Sequence, residues 1–410
     1  MLDRNLLRND PEKVREAARA KGEPCPLDRW TRADARRREI LAESEELRRR
    51  RNELSSEVAR LKKAGQNADD QIAQSREVGR KVSALERELK EADASMAELE
   101  LVFPNIPDDD VPRGSDESDN VLVSSWGEPP EATFELRPHW EILDGLMDVE
   151  ASGRVAGANF ALMRGWLARL QRRLIAWMAE RHHSRGMEEI WAPFVALEES
   201  MRATGQIPKL EADMYGVEGD ELYLIPTGEV PLTNIYRGQI LDLEQLPIRM
   251  FGYTPCFRRE AGSYGKDTRG LNRLHQFEKV ELVWITHPDR SDEAHQAMTE
   301  YVCEMLGELN IPYRVQLLCT GDLSFAAARC YDLEIWAAGQ KRWLEVSSVS
   351  NFRDFQARRG GIRFRPEGGG KPRHVHTLNG SALALPRLIA ALVENNQTPD
   401  GEVLLPEFLR

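Results

Sequence analysis

Residues 257–284 read FRREAGSYGKDTRGLNRLHQFEKVELVW, and charged side chains fall there where strand-like flanks would ordinarily be apolar. Arg258 and Glu260 leave the first flank; Glu278 and Glu281 sit inside the second, with Phe277 beside them. Charges are rarely buried without partners, so these groups need a ligand or one another. An arginine can hold a phosphate or carboxylate through two parallel N–H bonds, and an aromatic ring offers a base a face to stack on. That combination suits a nucleotide. A twisted hairpin whose Arg and Glu pair across its strands is the alternative that this stretch alone leaves open.

The elements that must hold these groups follow from pattern. Residues 249–257 and 276–285 are apolar runs around a segment dense in Gly, Arg, Ser and Asp, which predicts two strands joined by a long loop. Upstream, residues 162–185 predict an amphipathic helix with Leu167, Leu170, Leu174, Ile175 and Met178 inward. A strand at 187–192 follows, ending at Pro193. A short strand at 221–225 leads into PTGEVPLTN. Beyond the hairpin, 293–309 predicts a helix, and 313–319, 332–336 and 343–348 predict strands, the last leading into SVSNFRDFQARR. The tail HTLNGSALALPRLIAALVENNQ predicts a short polar turn and then an amphipathic helix with Arg387 in its first turns.

The first hundred residues are of another kind. Asp10, Pro11 and Glu12 announce a helix by cap, first-turn proline and dipole complement, and it ends near Gly22. After Pro26, Ile40, Leu47, Leu54, Val58 and Leu61 keep heptad spacing. A break at 65–70 follows, and Val78, Val82, Leu85, Leu89, Ala92, Met96 and Leu99 resume it. Two long helices with one narrow apolar stripe each predict an antiparallel hairpin that stands out as an arm. Arg36, Arg37, Arg48, Arg49, Arg50 and Arg51 recur on its first helix among glutamates, a pattern that by itself describes a solvated face. The run PNIPDDDVPRGSDESDN, rich in Pro, Asp and Ser, reads as a linker. The expected division is 1–102 for an N-terminal domain with the arm at about 30–100, 103–120 for the linker, and 121–410 for the body.

A net charge of −12 over 410 residues excludes a protein coated in positive charge, so nucleic acid would have to meet a local basic surface. Five scattered cysteines without a CxxC pair suit reduced thiols, not a disulfide framework or zinc site. No apolar run approaches the roughly twenty residues that span a bilayer, and MLDRNLLRND carries charges where a signal peptide needs an apolar core. A soluble, cytoplasmic chain is the expectation, with no membrane partner.

FRREAG, DTRG and HQFEKVE together resemble the second signature motif of class II aminoacyl-tRNA synthetases, in the form found in the seryl-tRNA synthetase family. Residues 104–129, the helix–strand–proline of 162–193, the Thr-x-Glu loop at 227–229 and the tail resemble other parts of that family, so the likeness spans the chain. It implies an α+β protein: an N-terminal antiparallel helical coiled-coil arm, and a catalytic domain on a mainly antiparallel sheet flanked by helices. It implies a homodimer through the 162–193 segment. The implied activity is activation of L-serine with ATP and Mg2+, then transfer of serine to the 3′ end of tRNA(Ser), with the selenocysteine tRNA as a second candidate acceptor.

The resemblance also assigns residues. Arg258 and Arg387 are the expected catalytic groups. Thr227, Glu229, Arg258, Glu281, Asn379 and Ser381 would meet serine; Glu260, Phe277, Glu345, Val346, Ser347 and Ser348, with both arginines, would meet ATP. Glu345 and Ser348 would hold the metal. The six arm arginines would hold tRNA. The chain departs from the family pattern at Gly228, where Ala is usual and a looser loop is expected. Val349 stands where Cys is usual, read as a swap for a half-buried thiol, and Ala382 and Pro386 stand where many members have Gly. Two further readings stay open: a duplicate supplying activated serine or seryl-tRNA to antibiotic synthesis, self-resistance or a carrier protein, and a non-catalytic RNA-binding or scaffolding protein.

Overall fold

The structure is a computed structural model that describes residues 1–261 and 269–410. It divides into two compact units: 2–19 with 24–103, and Met1 and 20–23 with 104–410.

In the first unit, α1 (Arg4–Asn9) and α2 (Pro11–Ala20) precede two long helices, α3 (Leu27–Lys63) and α4 (Asp69–Glu100). Asp10 receives the Lys13 N–H at 3.2 Å, the cap expected of it; the six-residue α1 is too short to announce itself by periodicity. Arg37 meets Asp93 at 2.6 Å and Arg48 meets Glu86 at 2.8 Å, so α3 and α4 run antiparallel. Ile40, Leu54, Val82, Leu85 and Met96 are fully buried between them, whereas Leu47, Val58 and Leu61 are half-buried, as a two-helix seam requires. Buried carboxylates hold the base of the hairpin. Asp34 takes two bonds from Arg8, at 2.6 and 2.8 Å, and Glu100 takes two from Arg4 and one from the Trp30 indole.

The second unit is built on a sheet. Its strands are β1 (Val121–Trp126), β2 (Glu188–Glu189), β3 (Ile248–Phe257), β4 (Gln276–Thr286), β5 (Tyr313–Leu317), β6 (Arg329–Ala337), β7 (Arg342–Asn351) and β8 (His376–Ala384), in the order β1-β5-β6-β7-β8-β4-β3-β2. Each pairing is antiparallel except β2 with β3, which is parallel. The helices α5 (Gly165–Ser184), α6 (Ser291–Glu308) and α7 (Leu385–Asn395) share one core with Val280, Leu282 and Trp284 of β4 and Leu378 and Ala382 of β8. Successive strand residues face opposite sides. Lys279, Glu281, Asn379 and Ser381 therefore leave that core and line a cleft on the other face.

Several expectations are corrected here. The polar tail HTLNGSALA is a central nine-residue strand and not a turn, because its polar side chains alternate onto the cleft face. The helix after it has the amphipathic pattern expected, yet its polar side is enclosed as well: from Leu385 to Glu394 every residue but Arg387 is buried. Val349 is fully buried in the helix-side core, not half-buried. The strand expected at 187–192 pairs over Glu188 and Glu189 alone. The hairpin strands stand as expected to within one residue, while residues 262–268 of the loop between them, with the Asp267 and Thr268 of DTRG, lie outside the described residues. Segment 105–120 is tied down: Asn105 donates to the Ala326 and Phe352 carbonyls at 2.9 and 2.8 Å, and Asp108 pairs with Arg353 at 2.6 Å.

Candidate active site

A cleft of about 670 Å³ opens on the sheet face opposite the core shared with α5, α6 and α7. It gathers Thr227, Glu229, Arg258, Glu260, Phe277, Glu281, Glu345, Val346, Ser348, Asn379, Ser381 and Arg387, which the sequence drew from six separate segments. Ser347 does not join them. Its side chain is buried and its hydroxyl lacks a hydrogen-bond partner among the described residues.

Register explains the set. In β4, Phe277, Lys279 and Glu281 alternate onto one face, and β8 lays Ser381 directly opposite Glu281. Ser348 lies three positions after Glu345, an odd offset that in a regular strand would place them on opposite sides. A bulge between Glu345 and Ser347 restores both to the cleft. Arg258 leaves β3 just past the last ladder pair. Its backbone N–H donates to His275 O at 2.9 Å, so its guanidinium lies over the Phe277 ring, 5.2 Å from the centroid. Its Nε donates to the Pro226 carbonyl at 3.2 Å, and no carboxylate among the described residues pairs with it.

One end of the cleft is a small polar pocket. Glu281 is 1% exposed; its Oε2 forms an ion pair with the Lys279 ammonium and lies 3.5 Å from the Ser381 hydroxyl. Its Oε1, and Asn379 Oδ1 nearby, are buried without a donor among the described residues. Lys279 donates also to Thr227 Oγ1 at 2.9 Å, which in turn accepts the Glu229 N–H at 3.2 Å. Glu229 is buried beneath, bonded by Gln356 at 2.5 Å and Gln206 at 3.4 Å, and burial together with the Glu281 charge pushes its carboxyl up to about 7. Gly228 is not a loosening. Its backbone is helical (φ −63°, ψ −20°), and a Cβ there would lie 3.0 Å from Glu281 Cβ and 3.2 Å from Thr254 Oγ1, so glycine permits a close approach.

The other end is lined by Arg387, Glu345 and Glu260. Arg387 leaves the first turn of α7 and donates to the Glu345 and Asn272 carbonyls at 2.9 and 3.2 Å, with a longer contact of 3.3 Å to the Glu345 carboxylate. Glu260, at φ +52°, pairs with Arg273 at 2.7 Å. Ser348 gives its hydrogen to Asp332 at 2.5 Å. Burial, with the Glu345 charge adding, pushes the Asp332 carboxyl well above the usual carboxylate range. These oxygens are hard donors suited to a magnesium ion that shares its shell with phosphates and water.

Sequence reasoning missed Lys279, Asp332, Gln206, Gln356 and Arg273. Lys279 was within reach, since it lies midway between Phe277 and Glu281 on a period of two. Gln356 gave no signal. The arm arginines lie elsewhere in the chain and are largely compensated. Arg36, Arg37 and Arg48 bridge to Glu88, Asp93 and Glu86 on α4, Arg49 and Arg50 to glutamates three residues away on α3, and Arg51 is exposed.

Comparison with known proteins gives concordant matches. Residues 213–396 match the model of the tRNA synthetase class II core domain (G, H, P, S and T), and residues 1–107 that of the seryl-tRNA synthetase N-terminal domain. The chain is 49% identical over 413 residues to the serine–tRNA ligase of Thermomicrobium roseum, covering 100% of this chain and 93% of that one. It is 50% identical to that of Halothermothrix orenii, at 100% and 98% coverage. The crystal structure of seryl-tRNA synthetase from Pyrococcus horikoshii complexed with ATP aligns over 100% of this chain and 97% of its own, with TM-score 0.95 and 36% identity. The cytoplasmic serine–tRNA ligase of Naegleria fowleri in complex with AMP aligns with TM-score 0.89 and 28% identity, at 100% and 96% coverage.

Proposed function

We infer that the chain, which belongs to the seryl-tRNA synthetase family, is a serine–tRNA ligase: it activates L-serine with ATP to seryl-adenylate and transfers serine to the 3′ end of tRNA(Ser). The observation that carries the substrate reading is the pair of buried, donorless acceptors, Glu281 Oε1 and Asn379 Oδ1, in a pocket beside the uncompensated Arg258. Two such acceptors call for a small ligand rich in N–H and O–H donors.

The first step joins a carboxylate to the α-phosphate of ATP and expels pyrophosphate, and repulsion between anions is its difficulty. Arg258, between the polar pocket and Phe277, is placed to bridge the two. Phe277 stacks the adenine, and Glu260 accepts from its exocyclic amine. Arg387 takes the far phosphates. Glu345 and Ser348 would hold Mg2+, which neutralises phosphate charge when bound; with its hydrogen committed to Asp332, Ser348 keeps lone pairs for a ligand. No protein base is required. Thr227 and Glu229 hold the serine ammonium, and Glu281 accepts from its hydroxyl, with Lys279 fixing the other carboxylate oxygen. Alanine would leave Glu281 Oε1 unpaired, a penalty worth on the order of 10^4 in specificity. Ser381 and Asn379 close the pocket against threonine.

We further propose that 1–102 with its arm binds tRNA, 103–120 joins it to the 121–410 catalytic domain, and the protein is a cytoplasmic homodimer. Exposed Trp191, Val195 and Leu197 support the dimer. No helix among the described residues is long and apolar enough to cross a membrane. ATP–pyrophosphate exchange measured with each of the twenty amino acids tests the reading, and serine alone should support it. Transfer to tRNA(Ser) and to selenocysteine tRNA tests the acceptor; adenylate formation without transfer would favour the duplicate serving another pathway.

A further inference from the structure

Behind the phosphate end of the cleft lies a carboxylate that the chemistry above does not use. Glu394 sits two turns after Arg387 on α7 and is fully buried. Its Oε1 accepts the His139 backbone N–H, His139 Nδ1 and Gln340 Nε2, each at 2.8 Å, and its Oε2 accepts the Gly339 and Gln340 N–H groups, each at 3.0 Å. Five donors around one carboxylate satisfy it as an anion. They also settle the tautomer of His139, whose Nδ1 must carry the ring hydrogen, leaving Nε2 as an acceptor.

That acceptor is used. His139 Nε2 takes the Leu271 N–H at 2.8 Å, where the chain returns toward β4. Gly270 passes so close that a Cβ on it would lie 2.1 Å from Nε2, and its φ of +68° also demands glycine. Arg269 stacks over Trp140 at 4.8 Å. A second branch runs through Gln340, whose Oε1 accepts Asn272 Nδ2 at 2.9 Å, while the Asn272 carbonyl accepts Arg387 Nε at 3.2 Å. The circuit closes on the helix it began from. One buried carboxylate, next to last in α7, is thus linked through Gln340 to the Asn272 carbonyl that Arg387 meets, and through His139 to Leu271, two residues before Arg273 reaches Glu260.

We propose that His139 and Glu394 are positioning residues for the ATP subsite: through Leu271, Gln340 and Asn272 they set where Arg387 and Arg273 meet the nucleotide, and they leave the serine pocket untouched. This rests on the reading of that end of the cleft as the ATP subsite. Both residues act through others and touch no substrate. Sub-ångström slack in a side chain that clamps a reacting group is costly to rate, so an effect on ATP is expected although neither residue reaches the nucleotide.

Two amides separate positioning from mere support. His139→Asn can still donate to Glu394 but loses the acceptor for Leu271. His139→Gln carries its amide oxygen to where Nε2 was and can accept from Leu271, at the expense of the bond to Glu394. In serine-dependent pyrophosphate exchange, His139→Asn should raise the KM for ATP by about tenfold while the KM for serine stays within about twofold. His139→Gln should recover most of the ATP affinity while melting at a lower temperature than His139→Asn. If ATP and serine constants decline together and follow the melting temperatures in both variants, or if His139→Asn binds ATP like the parent, the proposal is overturned. Should His139→Asn not fold, Gln340→Ala, which removes the Asn272 anchor and keeps the His139–Glu394 pair, should raise the KM for ATP, and an unchanged constant would overturn the proposal equally. A parent protein without serine-dependent exchange would instead overturn the ATP reading on which it stands.

Discussion

Arginine is used in opposite ways in the two compact units. On α3, five of the six arginines expected to meet tRNA have a carboxylate within 3.4 Å, three of them on the facing helix, so most of that charge is spent within the hairpin. In the cleft, Arg258 donates to a main-chain carbonyl and lies over an aromatic ring with no carboxylate partner among the described residues, and Arg387 donates to two carbonyls, with a single carboxylate, that of Glu345, at 3.3 Å. Carbonyls and rings orient a guanidinium without cancelling its charge. The first arrangement suits a surface that meets a polyanion loosely; the second holds charge ready for a ligand in one geometry.

The comparison is broken most sharply at Arg258. Arg258→Ala should lower serine-dependent pyrophosphate exchange by about 10^2 to 10^4, because the reacting anions lose a charge-assisted bond, with an intact fold by circular dichroism. Near-parental exchange would remove Arg258 from the reaction. Glu281→Ala ranks next. It should weaken serine by about 10- to 100-fold in equilibrium titration, since it removes the proposed hydroxyl acceptor and leaves buried Lys279 without its carboxylate partner, while ATP binding changes little. Equal losses for both ligands would make Glu281 a structural residue.

A third effect is set by Glu229. Its carboxyl is raised to about 7 in the free protein, first by burial and then by the Glu281 charge, and an ammonium beside it favours the ionised form. Below pH 7 the proton must leave before the ammonium binds, so serine affinity should weaken as pH falls, by up to roughly tenfold per unit, and level off above about pH 7.5. Glu229→Gln should flatten that profile. A wild-type affinity constant between pH 6 and 8 would show that Glu229 does not face the amine.

How much of this could be read from the residues alone differs by element. The β3–β4 hairpin was legible because its apolar runs are bounded by Gly and Asp and because Arg258, Phe277 and Glu281 are out of place in an ordinary sheet. The α3–α4 hairpin was legible from seven-residue spacing. The strand at β8 was not, since Asn379, Gly380 and Ser381 read as a turn until a neighbouring strand supplies the pocket that their side chains enter. The buried surround of α7 was hidden too, because Arg387 and Glu394 look like a polar face when in fact one enters the cleft and the other is enclosed by five donors. Glu345 and Ser348 are brought together by a bulge, which no alternation of two predicts. His139 lies 132 residues from Leu271 and gave no local sign of their hydrogen bond.

The smallest effect on catalysis is expected on α3, and there the comparison can be sharpened. Among the described residues Arg49 and Arg50 pair only with glutamates of their own helix, and Arg51 is exposed, so changing these three to Gln should leave the seam and the bridges to α4 standing. Pyrophosphate exchange should match the parent, because the adenylate step makes no use of the arm. Aminoacylation should show a raised KM for tRNA(Ser) of a few-fold at unchanged kcat, since phosphate contacts position the substrate without entering the chemistry. The more specific sign is salt. Each cation that no longer meets a phosphate should reduce the slope of log affinity against log salt by about one, so the triple variant should bind with a visibly shallower dependence. Arg48→Gln differs in kind: it breaks a bridge to Glu86, and so should loosen the hairpin as well as the grip on tRNA. A triple variant with the parental salt slope would mean that these side chains are a solvated helix face, and that tRNA is held by other residues.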